Sequence, residues 1–461
     1  MPTKDNTEEL IGITYKFYEN LYALRIFDEQ IGQLAEEYDE STKGKFFTGL
    51  ADLAGISKDT IDTTGGTPFE MHFKHKISKP DLSLLEAPKT DETSPVEIVE
   101  QPVVENLDVA SSEKESNENL AQAKNIIEVE FKDEQHFFQV MKFLRSSRKY
   151  TARQSKLLRQ GALISLISYF ESLEIDLLQF FYLAYPAALP SDGKLLSLAD
   201  LREIGSIDEA EKLLITKEVD TLLRDTTEAQ IEYFTKRPKV DLKCLNPYID
   251  NLLEVIQRRN LFVHNNGIVN KIYLSKLSNE YLKQNNIKDG DELEIDGEYL
   301  SKAIDTICVC GTMLIQQSWR KWDEKSAEVA DTVLREYTYD LLIEKRWNLI
   351  DKLADYAASL HFVSDSDARI TIINQAIALK EQNKIGEMES LLSKKDWSSC
   401  ALKFHVALYS LKEQYDKMIP LLTKAIAAGE IDKEAIDEWP LFRWFRESEH
   451  YQPVICKLFS Q

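Results

Sequence analysis

LLRQGALISLISYFESLEIDLLQFFYLAY, residues 157–185, decides the fold class. Leu163, Ile164, Ile167, Phe170, Leu173, Leu177, Leu178 and Phe181 recur at steps of one to four, so a helix would turn them onto one broad apolar face. Pro186 and Pro190 follow at once and end it, because proline lacks the amide hydrogen that another turn needs. Similar helical patterns return around 207–235, at 248–264 and from Leu300 to Lys321, so the expected fold class is mainly α.

Upstream, residues 7–38 also read as helix, with Leu10, Ile11, Tyr15, Phe17, Tyr18, Leu21, Leu24 and Phe27 near helical spacing. A Thr-Thr-Gly-Gly-Thr-Pro turn at 63–68 and a strand from Phe69 to Ile77 then suggest a small α+β module over 1–80. Residues 81–119 hold eleven acids and two lysines and no aromatic residue. Such a segment cannot bury enough surface to order itself, so 81–125 is expected to be an acidic disordered linker. Ile126 to Phe131 reads as a short strand at its end. The segment 271–298, with Lys-Asp-Gly-Asp and Ile-Asp-Gly, suits a small hairpin insert.

A chain of 461 residues exceeds one ordinary core, and the expected divisions are 1–80, 81–125, 126–325 and 326–461. No run of eighteen apolar residues occurs and the start, MPTKDNTEEL, lacks a basic then apolar leader, so a cytoplasmic protein away from membranes is expected. The five cysteines are scattered, and Cys308-x-Cys310 has no second pair and no nearby histidine. Buried thiols are expected rather than a zinc site, with no metal or other cofactor. Nor is there a Gly-x4-Gly-Lys-Ser/Thr loop for a nucleotide phosphate.

A net charge of −22 opposes indiscriminate nucleic-acid binding, but the charge is uneven. Residues 142–159 hold seven bases and no acid. On one helix, Lys142, Arg145, Arg148, Lys149, Arg153, Lys156 and Arg159 would lie within about 140° of each other. Arg145, Lys149, Arg153 and Lys156 are the RNA-backbone candidates in that stripe, although a solvated helix face gives the same pattern. The acidic linker could fold back on it and restrain RNA access.

The chemistry concentrates in Arg258-Arg259-Asn260-Leu261-Phe262-Val263-His264-Asn265-Asn266-Gly267. Asn260 and His264, four apart, share a helix face, and Asn-Asn-Gly suits termination through a left-handed residue. His264 would then sit in the last turn, where the helix dipole favours a cation. An imidazole, an amide and a guanidinium are the groups that move protons around a phosphodiester. On spacing alone, a helix terminus with a capping histidine and solvated arginines fits equally well.

This stretch resembles the signature of HEPN-domain ribonucleases, an arginine and a histidine four to six residues later, often with a polar residue after the arginine. The resemblance covers about 150–323 and includes Tyr169-Phe170-Glu171 on the long helix; it is nearest to HEPN proteins of bacterial toxin and anti-phage modules. It implies a helical bundle that pairs as a homodimer, placing two motifs at one metal-independent site. There the RNA 2′-hydroxyl would attack the phosphate and leave a cyclic phosphate. It also implies acid–base work for His264, a phosphate contact for Arg259 with Arg258 beside it on RNA, positioning by Asn260 and a supporting carboxylate at Glu171. The 271–298 segment and the long arms on both sides depart from the family pattern.

Beyond 326, Leu342-x4-Trp347-x2-Ile350, Leu379-x4-Lys384-x3-Met388 and Leu411-x3-Tyr415-x2-Met418 recur at offsets of 37 and 31. That spacing resembles degenerate tetratricopeptide-like repeats, with Trp439-Pro440-Leu441-Phe442-x2-Phe445 as a closing segment. A non-repetitive bundle is the alternative. Helical hairpins of this kind imply a protein partner or trigger, and a dimeric adaptor without enzymatic activity is the competing reading of the whole chain.

Overall fold

The computed structural model describes residues 4–54, 69–74, 125–130, 133–147, 154–189 and 196–459, and it is mainly helical. Helix α1 (Lys4–Phe27) runs through one π turn, Asp28–Gly32, into α2 (Gln33–Ala54). β1 (Phe69–Lys74) pairs in parallel with β2 (Asn125–Glu130). After α3 (Glu134–Ser147) comes α4 (Gln154–Ala184), then the short α5 (Leu198–Ile204), α6 (Ile207–Leu222) and α7 (Thr227–Lys236). α8 (Ile249–Asn265), α9 (Lys271–Ser275), α10 (Asn279–Gln284) and α11 (Gly297–Trp322) follow. The remainder is α12 (Ala327–Ile343), α13 (Trp347–Ser359), α14 (Asp365–Glu381), α15 (Ile385–Ser393), α16 (Leu402–Leu411) and α17 (Tyr415–Ala427). Three short helices close the described chain: α18 (Lys433–Glu438), α19 (Arg443–Arg446) and α20 (Tyr451–Phe459).

The chain forms two compact units, residues 1–33 with 156–461, and residues 34–155. The expected division at 80 therefore gives way in two places. Helix α1 belongs to the large helical unit, and β1 pairs with a strand beyond 80, so no α+β module stands alone over 1–80. The expected linker at 81–125 lies outside the described residues except for Asn125. One apolar core runs from Leu10 through α4, α8 and α11 to Phe445, so the expected boundary at 325/326 does not interrupt it. Helix α4 buries seven of the eight expected apolar positions; Ile164 is 40% exposed instead.

Helix α11 is buried on nearly every side from Ile307 to Trp319, and it packs against α1, α8, α12 and α13. A mostly apolar segment suits such a place, and its buried Gln316 is satisfied by donating to the Ala330 carbonyl at 3.0 Å. Gly311 lets α1 approach, since a Cβ there would fall on the Phe17 ring. Polar contacts then fix α1 to the end of α11 and alongside α12. Thr7 donates to Asp323 at 2.9 Å, Tyr15 donates to Glu336 at 3.0 Å, and Arg25 is ion-paired with Glu344. Arg25 also donates to the Tyr337 hydroxyl at 3.0 Å, and Tyr18 stacks on the Tyr337 ring. Cys308 and Cys310, on the same α11 segment, are buried thiols as expected; Cys456 is exposed.

From α12 to α17 the helices form three consecutive hairpins with one turn geometry. Lys345, Asn383 and Glu413 adopt left-handed backbone with φ of 58°, 59° and 53°. In each turn the following amide, of Arg346, Lys384 or Gln414, donates to Leu341, Leu379 or Tyr409 at 2.9 Å. Ile350, Met388 and Met418, matched from sequence, are structurally equivalent: each amide reaches back to the residue that follows the left-handed one, and each side chain is buried. A non-glycine residue costs about 1 kcal/mol in that backbone region. Lys345 is exposed, so Lys345→Gly is expected to stabilise the chain by roughly 0.5–1 kcal/mol. Urea denaturation of the two proteins measures this, and a variant of lower midpoint would refute it.

Candidate functional site

Helix α8 starts from a 3₁₀ turn at Lys243–Tyr248 and buries Leu252, Leu253, Val255, Ile256, Leu261 and Phe262. It stops as the Asn-Asn-Gly run requires. Asn266 takes φ of 50° and Gly267 φ of 85°, and the Asn266 amide returns to the Leu261 carbonyl. The backbone after Gly267 pairs with 290–293: Leu293 donates to the Gly267 carbonyl at 2.9 Å and Val269 to that of Asp291 at 2.8 Å. The 271–298 segment is therefore not a simple hairpin. Between those pairings it carries α9 and α10, capped by the Asn270 and Ser278 side chains. A Cβ on Gly267 would meet the Phe262 ring at 2.8 Å and the Leu293 carbonyl at 3.0 Å, besides the strain of its φ. Gly267→Ala is expected to cost about 2 kcal/mol, read as a lowered urea midpoint; an unchanged midpoint would contradict this.

The residues singled out from sequence divide into three groups. Arg259 and Glu171, distant in sequence, are brought together: Arg259 Nη2 donates to Glu171 Oε1 at 2.5 Å, joining α8 to α4. The Arg259 Nε is buried and unpartnered. His264 lies in the last turn of α8 with its side chain exposed, between the exposed Val263 and the half-buried Asn265. Asn260 is half-buried, one turn before it, and neither Asn260 nor His264 makes a hydrogen bond or ion pair with the described residues.

Arg258 is placed differently from its expected RNA contact. Its Nε donates to Glu254 at 2.6 Å, its Nη1 to the Glu294 carbonyl at 2.9 Å, and its guanidinium lies 3.9 Å from the Tyr299 ring centre. Glu254, 2% exposed, also accepts from Tyr273 and Tyr299 at 2.8 and 2.9 Å. Burial and then the Glu254 charge push the Tyr273 and Tyr299 phenols well up, which keeps them as donors. A buried carboxylate with three donors is satisfied, so this network is structural. It lines a 510 Å³ cleft with Asn251, Tyr281 and Lys302.

The basic stripe is only partly in view. Lys149 and Arg153 lie outside the described residues, and Arg145 falls in α3. Lys156 is ion-paired with Glu292 at 3.3 Å. Arg159 does not face solvent: it is 7% exposed and paired with Asp28 at 3.0 Å. The signal missed in the sequence was a carboxylate on an apolar face. Glu174 and Glu254 are both such residues, and Glu254 stands four before Arg258, where helical spacing pairs them.

Among the described residues no helix is long and apolar enough to cross a membrane, and no cluster of His, Cys, Asp or Glu is placed to hold a metal ion. No family model matches the chain, and no match was found among the curated proteins or the solved structures.

Proposed function

We propose that the chain is a metal-independent endoribonuclease of HEPN type, acting as a homodimer in bacterial anti-phage defence or toxin-mediated growth arrest. The observation that carries this reading is the Arg259–Glu171 pair with His264 beyond it, exposed and without a partner among the described residues. His264 moves the proton of the attacking 2′-hydroxyl or of the leaving oxygen, and Arg259 stabilises charge on the phosphate. Asn260, one turn before His264, orients the phosphate or the imidazole. Val263 and Ile268, 49% and 45% exposed on either side of His264, suit cover by a second copy that contributes the other half of the site. The three hairpins offer a surface for a protein trigger, within the cytoplasm.

One observation favours the competing reading. Glu171 already engages Arg259, as a purely structural clamp would, and a dimeric adaptor recruiting a partner through its hairpins needs nothing more. Product chemistry separates the two. The enzyme reading expects RNA cut in EDTA, with 2′,3′-cyclic phosphate on one fragment and 5′-hydroxyl on the other. Uncut RNA, or cutting only with added magnesium, would sink it.

A further inference from the structure

Glu174 lies on the buried face of α4, three residues after Glu171, with 3% of its surface exposed. Its Oε2 is buried and has no hydrogen-bond partner. Side chains three apart on a helix have Cβ atoms about 5–6 Å from each other, so the two carboxyl groups are neighbours. Their surroundings differ. Glu171 is 39% exposed and holds Arg259, whereas Glu174 is buried and its Oε2 is unpaired. Burial, and then the Glu171 charge, push the Glu174 carboxyl up to about 8, so it keeps its proton at neutral pH. The other charged groups along this stretch are Asp176, ion-paired with Lys16 of α1 at 2.6 Å, and Arg259 of α8.

We propose that Glu174 is a positioning residue for Arg259, acting through Glu171. Uncharged, it leaves one carboxylate opposite the guanidinium, so the ion pair is neutral and does not repel an RNA phosphate. Once charged, it adds a second carboxylate one turn away. The pair then outweighs the single cation, and the phosphate is held less tightly. The inference rests on the ribonuclease reading for the identity of its anion. A role in packing alone would place any side chain of this size here; the carboxyl group, buried without a partner beside a charged one, is what packing does not explain.

Glu174→Gln keeps the shape and removes the ionisation. In the full chain, affinity for 2′-O-methyl RNA, which lacks the attacking hydroxyl, is measured from about pH 6 to 9. Wild-type affinity is expected to fall about tenfold across the alkaline half of that range, while the variant stays flat. Melting temperature gives a second readout that needs no RNA. The folded chain holds the Glu174 proton up to about 8 and the unfolded chain releases it near 4.5, so the wild type loses stability as pH rises through that window. The melting-temperature gap in favour of the variant should therefore widen from about pH 5 to 8 and then level. Glu174→Met gives the same comparison should the amide fail to pack. Parallel pH responses in wild type and variant overturn the proposal and leave the ribonuclease reading standing. A wild type that binds no RNA at any pH overturns that reading. A constant melting-temperature gap then overturns the Glu174 assignment as well, and a widening one keeps Glu174 as the residue that sets the charge beside Glu171.

Discussion

His264→Ala is expected to lower RNA cleavage by about 10²–10⁴-fold with the fold intact. The side chain is exposed at the end of α8 and bonds to no described residue, so its removal deletes no packing and orphans no buried group. Stability should change by no more than about 0.5 kcal/mol, as for an ordinary surface substitution. That separation makes the variant informative, because Arg259→Ala would strip Glu171 of its partner as well as the phosphate of its cation. Single-turnover cleavage and a urea titration of the same preparation give both numbers. Cleavage that survives at the same sites would remove His264 from the chemistry and overturn the proposed mechanism, whereas only a wild type that leaves RNA uncut favours the adaptor reading. In cells, the enzyme reading expects wild-type expression to arrest growth and the variant to be tolerated.

Arg25→Ala is expected to cost about 3–5 kcal/mol, the range for removing one partner of a buried ion pair. Arg25 is 3% exposed and serves Glu344 and the Tyr337 hydroxyl together, so its loss leaves a carboxylate and a phenol without their donor. Burial raises the Glu344 carboxyl, and the Arg25 charge works against that rise. Without the guanidinium Glu344 goes further up, and an acid so shifted loses stability as pH rises above its unfolded value. The deficit should therefore shrink in acid and grow toward neutral pH. Urea midpoints at two pH values check both the size and the direction. A loss below about 1 kcal/mol would show that α1 is held by the Phe17–Gly311 contact and not by its polar anchors.

Local pattern made much of this chain legible, and its long-range partners stayed hidden. Helix α4 could be read from the recurrence of its apolar residues and from Pro186, which opens a 3₁₀ turn where the helix ends. Ile350, Met388 and Met418 could be matched because each occupies the same buried place after an identical turn. Lys384 was one residue from the true match to Trp347 and Tyr415, which is Ile385 at the first position of α15. In 271–298 the Asp289-Gly290 turn is real, with Gly290 at φ 86°, but the caps at Asn270 and Ser278 mark helices that turn signals had obscured. The ending of α8 was legible because left-handed asparagine and glycine are local matters. That Arg259 would meet Glu171, or that Arg25 would meet Glu344, follows from packing between distant helices, which no periodicity encodes.

The alignment of α1 beside α12 bears on how the chain is made. Arg25 and Glu344 are separated by 319 positions, so α1 reaches this anchor on α12 only after all the residues between them have been made. At about 5–20 residues per second, that wait is roughly 15–60 s. Until then Leu10, Phe17 and Leu21, all buried in the finished protein, can be covered only by nearer elements such as α4, where Asp176 pairs with Lys16. The apolar face of α1 is thus only partly covered during synthesis. Completing its contacts with α12 is a long-range event of the kind that makes folding slow.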